Sequence, residues 1–186
     1  MANIGNTLKV LSANCQGLQN LIKRTDVLSY LKEKQPNILC LQDTHWTEKD
    51  KCSVKKIWGH DIFLNGRKSN ARGVAILLNN NFEYEILKSE QDTEGNFLYL
   101  QLKVQEEIFN IITIYGPNKD EPSFFDQIKS VLQESTAYTI ICGDFNLVLD
   151  PVKDAYNYKH INHPRARKSV LNVMEEFNLL DIYRTK

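Results

Sequence analysis

Short apolar runs and amphipathic stripes alternate along this chain. Residues 8–13 and 38–41 read as short strands. Residues 73–78 form a continuous apolar run, the pattern of a strand buried on both faces. Leu98, Leu100, Leu102 and Val104 alternate with Tyr99, Gln101 and Lys103, and a second run at 108–115 follows almost at once. That pair predicts an antiparallel hairpin. Residues 138–142 read as a further buried strand. Between the strands, Val27, Leu28 and Leu31 share one face of a helix that must end before Pro36. Phe124, Phe125, Ile128, Val131 and Leu132 form a stripe at helical spacing after Pro122. A third helix is expected over about 166–177, with Val170, Leu171, Met174 and Phe177 on its apolar face. Mixed helices and strands with at least one hairpin predict an α/β (α+β) fold, with helices packed outside antiparallel or mixed sheets. No repeat or Gly/Ser linker divides the chain, so a single domain over residues 1–186 is expected.

Composition narrows the class. The 186 residues are 42% hydrophobic and 25% charged, a globular balance with enough chain for a real core. No apolar run approaches the length of a membrane span, and the N-terminus lacks a secretory pattern. Cys15, Cys40, Cys52 and Cys142 show no C-x-x-C spacing and read as reduced, mostly buried thiols. An intracellular protein, nuclear or cytoplasmic and not secreted, is expected. The 23 basic and 23 acidic residues cancel, so any contact with nucleic acid must be local.

The strand ends carry the chemistry. Asn14 closes the first strand, Gln42 and Asp43 follow the second, and Tyr115 closes the hairpin. Gly143-Asp144-Phe145-Asn146 follows the 138–142 run. If the extended conformation persists there, Asp144 and Asn146 project to the same side. Gly143 lets another backbone or a ligand approach. Taken singly, a polar strand end is a solvated turn and Tyr115 a core aromatic with a wet hydroxyl. A carboxylate that orients water beside an amide that donates to a substrate oxygen suits an active-site rim.

The order of these segments resembles the endonuclease/exonuclease/phosphatase superfamily, nearest to the apurinic-type endonuclease domain of LINE retrotransposon proteins. The carrying segments begin with Leu11-Ser12-Ala13-Asn14-Cys15-Gln16-Gly17-Leu18, Cys40-Leu41-Gln42-Asp43-Thr44-His45 and Arg72-Gly73-Val74-Ala75-Ile76-Leu77. Ile114-Tyr115-Gly116-Pro117-Asn118, Gly143-Asp144-Phe145-Asn146 and the closing Leu180-Asp181-Ile182-Tyr183-Arg184 complete them. The resemblance implies a four-layer sandwich of two central mixed sheets flanked by helices. It implies DNA as partner and Mg²⁺, or Mn²⁺ in its place, as cofactor for phosphodiester cleavage. Asn14 and Asp43 would then belong to the metal site, and Tyr115 would lie against the scissile phosphate. Asp144 would align or deprotonate the attacking water, and Asn146 would help hold Asp144 and the phosphate oxygens. Asn118 would contact DNA.

Two departures stand out. The family usually has Glu where this chain has Asp43. Its pattern also continues past residue 186 to a terminal Ser-Asp-His motif, whereas His45, His60, His160 and His163 lie in other contexts. The chain is therefore expected to lack the C-terminal strands, to have its incomplete sheets covered by a second chain or by an altered packing, and to nick DNA weakly if at all.

Three basic clusters could touch the backbone of DNA: Lys49, Lys51, Lys55 and Lys56; Arg67, Lys68 and Arg72; and Arg165, Arg167 and Lys168 after His163. A solvated charged face is the ordinary reading of each. The last cluster is favoured for DNA because it opens a helix whose N-terminus attracts phosphate. Two other functions fit the same residues: a non-catalytic DNA- or protein-binding module, and a superfamily member acting on phospholipid or nucleotide phosphates.

Overall fold

The computed structural model describes residues 7–67, 71–154, 163–182 and 184. It groups into two compact units, Met1–Tyr115 with Ala137–Asp144, and Gly116–Thr136 with Phe145–Lys186.

The first unit holds two mixed four-stranded sheets. One has the order β1-β2-β4-β3, formed by β1 (Val10–Asn14), β2 (Ile38–Gln42), β3 (Ile62–Asn65) and β4 (Val74–Leu78). The other has the order β5-β6-β7-β8, from β5 (Glu85–Gln91), β6 (Phe97–Val104), β7 (Glu107–Tyr115) and β8 (Tyr138–Asp144). In each sheet one pair is parallel, β1 with β2 and β7 with β8, and the rest are antiparallel.

The pleat of β2 explains the layers. Leu39 and Leu41 join a core with Leu28 and Leu31 of α1 (Leu21–Glu33) and Val54 and Trp58 of α2 (Lys51–Trp58). Ile38 and Cys40 point to the opposite face, where they meet Leu98, Leu100, Leu102 and Ile111 of the second sheet. A strand covered on both sides must be largely apolar, and all five residues of β2 are buried, four of them apolar. The predicted hairpin is β6–β7, closed by Gln105 and Glu106 between the paired residues Val104 and Glu107.

Several polar side chains are buried too, among them Arg24 and Gln42. Arg24 is 4% exposed. Its Nε donates to the Leu18 carbonyl at 2.8 Å, its Nη1 to Ser53 Oγ at 3.0 Å and its Nη2 to Asp50 Oδ1 at 2.8 Å. It ties α1 to the turn that precedes α2.

The second unit consists of α3 (Pro122–Gln133), α4 (Pro151–Asp154) and α5 (Pro164–Glu176). All five apolar residues predicted for α3 are buried. In α5 the buried residues are Ala166, Val170 and Val173, while Leu171 is exposed and Met174 and Phe177 are half-buried. The expected stripe through Leu171 is thus rotated. The spacing 166, 170, 173 is itself helical, and the small Ala166 hides the signal. Lys129 and Glu176 pair at 2.6 Å between α3 and α5.

Candidate active site

Both parallel pairs end at the same rim of the first unit. Asn14 stands opposite Gln42 in register, and Tyr115 stands opposite Asp144. The two sheets are joined across the rim by Asn14 Nδ2, which donates to Asp144 Oδ2 at 2.7 Å. The bond spans 130 positions of sequence. It brings together three of the predicted site residues, with Tyr115 beside Asp144 in the ladder. Gln42 leaves the rim: it is 1% exposed, and its Nε2 donates to Thr113 Oγ1 at 2.8 Å as a second tie between sheets.

Asp43 begins the loop after β2. The loop is clamped by backbone on both sides. Gly17 and Leu18 donate to the carbonyls of Asp43 and Thr44 at 2.7 and 2.8 Å. Thr44 and His45 in turn donate to the carbonyls of Gly73 and Arg72 at 3.0 and 2.7 Å. Asp43 at φ +51° and His45 at φ +58° both occupy the left-handed region that non-glycine residues avoid. The result is a contact between their side chains, His45 Nε2 to Asp43 Oδ1 at 2.9 Å. A spacing of two residues in a loop carried no such signal in the sequence.

Gly143 has φ +149°, and a Cβ built there would lie 2.0 Å from the carbonyl oxygen of Ile114. The close approach foreseen for this glycine is therefore the neighbouring strand's backbone. The extended conformation does not continue past it. Strand β8 ends at Asp144, and Asn146 sits at φ +51° in the second unit. The unbroken strand geometry on which the same-side projection of Asp144 and Asn146 depends is therefore absent at Asn146. The Asn146 amide instead donates to the Gly116 carbonyl at 2.7 Å. Asn96 was missed altogether. Its carbonyl accepts from Tyr115 N at 2.8 Å, and its buried Oδ1 lacks a hydrogen-bond partner among the described residues.

The candidate DNA contacts are partly spoken for. Arg72 and Arg67 both pair with Glu94, at 3.9 and 3.2 Å, while Lys68 lies outside the described residues. Asn118 is exposed. His163 precedes α5 at φ +51° without a side-chain cap bond. The N–H groups that open α5 already face an anion, since Arg165 N and Ala166 N donate to the Asp120 carboxylate at 3.4 and 2.8 Å. Arg165 Nε adds a bond at 3.1 Å. Desolvation pushes the Asp120 acid up, but these donors prevail and hold it below the ordinary carboxylate range. Arg167 Nε donates to the Leu149 carbonyl at 2.7 Å, and Lys168 is exposed. His160 and the Tyr183 of the closing motif lie outside the described residues.

No helix among the described residues is long and apolar enough to cross a membrane. The chain is similar to a 149 kDa protein of the transposon TX1 of Xenopus laevis, 27% identical over 95% of this chain and 14% of that protein. It is also similar to an exodeoxyribonuclease of Bacillus subtilis, 25% identical over 87% of this chain and 65% of that enzyme. The DNA repair nuclease APEX1 of Danio rerio is 28% identical over 75% of this chain and 49% of its own length. The chain thus spans less than two thirds of each of these relatives. Among solved structures, an AP endonuclease from Leishmania major superposes with a TM-score of 0.77 at 19% identity, over 95% of this chain and 68% of that one. The endonuclease domain of TRAS1, a telomere-specific non-LTR retrotransposon, superposes at 0.64 with 17% identity, over 91% and 71%. The two mixed sheets are the fold of these neighbours. A family model matches residues 11–164, most of the chain, and the protein belongs to the Endonuclease/Exonuclease/phosphatase family.

Proposed function

We propose that this chain is the DNA-nicking domain of a LINE-type retrotransposon protein, cutting one strand of target DNA to expose a 3′-hydroxyl that primes reverse transcription. The observation that carries the reading is the bond from Asn14 to Asp144, which assembles the rim from two sheets. Asp144 would align the attacking water. Asn14 holds one of its oxygens, which restricts how the carboxylate can turn. Tyr115, opposite Asp144, would bear on the phosphate.

The donor set suits Mg²⁺. Asn14 and Asp43 would offer it hard oxygens, although no group of three or more His, Cys, Asp or Glu converges among the described residues. Mg²⁺ retains several waters and needs few protein ligands. When bound it would neutralise charge on the phosphate and leaving oxygen. In the second unit, Asn118, His163 and Lys168 are the candidates for phosphate contact, with Asn146, Arg165 and Arg167 already engaged.

Supercoiled plasmid tests the reading. We expect slow Mg²⁺-dependent conversion to open circles, lost in EDTA and in Asp144→Ala. Equal nicking by the chain and by Asp144→Ala would sink it. DNA binding that survives Asp144→Ala without any cleavage would favour a non-catalytic module.

A further inference from the structure

The Asp43–His45 pair lies at the candidate metal position, yet His45 has no part in the reading above. Its setting is built. The ring rests on Gly17, where a Cβ would come within 2.9 Å of His45 Nδ1. Gln19 Nε2 donates to the His45 carbonyl at 3.3 Å. Backbone bonds donated by Gly17 and Leu18, and accepted by the Arg72 and Gly73 carbonyls, fix the loop between them. A carboxylate only accepts, so the His45 Nε2 that meets Asp43 Oδ1 at 2.9 Å carries the proton and donates it. Two left-handed residues flanking Thr44 are tolerated where the surroundings over-determine them.

We propose that His45 is a positioning residue for Asp43: its Nε2–H engages Oδ1 and presents Oδ2 to a divalent cation. The inference rests on the proposed reading of Asp43 as a metal ligand. A metal-ligating carboxylate fixed by a hydrogen bond loses less freedom on binding, and removing such an outer partner weakens metal affinity roughly 10–100-fold.

The test is Mn²⁺ binding by the full chain without DNA, followed by water-proton relaxation. Asp43→Ala should weaken binding by at least about tenfold, and His45→Ala by about tenfold. His45→Gln, whose amide can reach the place of Nε2, should stay within about threefold of the parent protein. Gly17→Ala, which displaces the ring, should fall with His45→Ala and decides the matter if that variant fails to fold. Normal binding by His45→Ala and Gly17→Ala, or no recovery in His45→Gln, overturns the role of His45. Mn²⁺ affinity unchanged in Asp43→Ala instead overturns the reading of Asp43, and the inference falls with it.

Discussion

Gly143→Ala is the sharpest test of how the rim is built. The added Cβ would sit 2.0 Å from the Ile114 oxygen, and 2.9 Å from the Ile114 carbonyl carbon and nitrogen. A carbon–oxygen contact needs roughly 3.3 Å, so β8 must move about 1.3 Å away from β7. The obstacle is backbone and has no rotamer to yield. Alanine at φ +149° adds conformational strain of about 1–3 kcal/mol. The shift would also break about two ladder bonds near Ile114 and Gly143, worth about 1 kcal/mol each. The sum is about 3–5 kcal/mol, a large share of the roughly 5–15 kcal/mol that holds a domain. With an m-value of about 2 kcal/mol/M, the urea midpoint should fall by about 2 M. Hydrogen exchange should place the loosening on β7 and β8, with Tyr115 and Asp144 in its path. A midpoint within about 0.5 M of the parent protein would refute the account, since the strands would then have room that their register denies.

Other expectations follow from the same contacts. Arg24→Ala should cost about 3 kcal/mol in urea unfolding, because it takes a donor from the Asp50 carboxylate, the Leu18 carbonyl and Ser53 Oγ near the core. A loss under about 1 kcal/mol would count against the buried tie. Partial burial pushes the Asp50 acid up, but donors from Thr47 and Arg24 outweigh it and hold it below its usual range. A depressed folded pKa contributes stability above the unfolded value, about 3.9, and that contribution is lost as pH falls through the folded value. Asp50→Asn should therefore flatten the loss of stability below about pH 4, and an unchanged acid limb would contradict it. Iodoacetamide should label exposed Cys52 first. Burial pushes the Cys15 thiol up to about 12, while donation to Cys142 and burial both raise Cys40. These two should react only on unfolding, and mass mapping of partial digests would show it.

The sequence made the interior strands plain and the margins obscure. Strands β2, β4, β6 and β7 are covered by sheet or helix, so their apolar runs are long and regular. Strand β5 lies at a sheet edge, mostly exposed, and a bulge between Ile86 and Lys88 breaks its alternation. Strand β3 has four residues, too few for a period. Helix α2 was read as a basic segment, since Lys51, Lys55 and Lys56 surround the apolar Val54, Ile57 and Trp58. At the rim, the motifs pointed to Asn14, Tyr115 and Asp144 because each closes an apolar strand. They could not reveal that Gln42 turns inward, that Asn146 leaves the extended path, or that His45 returns to Asp43. Those outcomes depend on left-handed backbone and on neighbours far along the chain, which local patterns do not encode.

The bond between Asn14 and Asp144 also has a consequence in time. Its partners are the last residue of the first strand and the last residue of the eighth. Closing a span of 130 residues has an entropic cost that only the pairing of both sheets can offset. During synthesis, domains gain structure as they emerge from the N-terminal end. Here the first sheet can form while Asp144 is still unmade. The rim therefore has no partial version: it comes into being only when the second sheet closes.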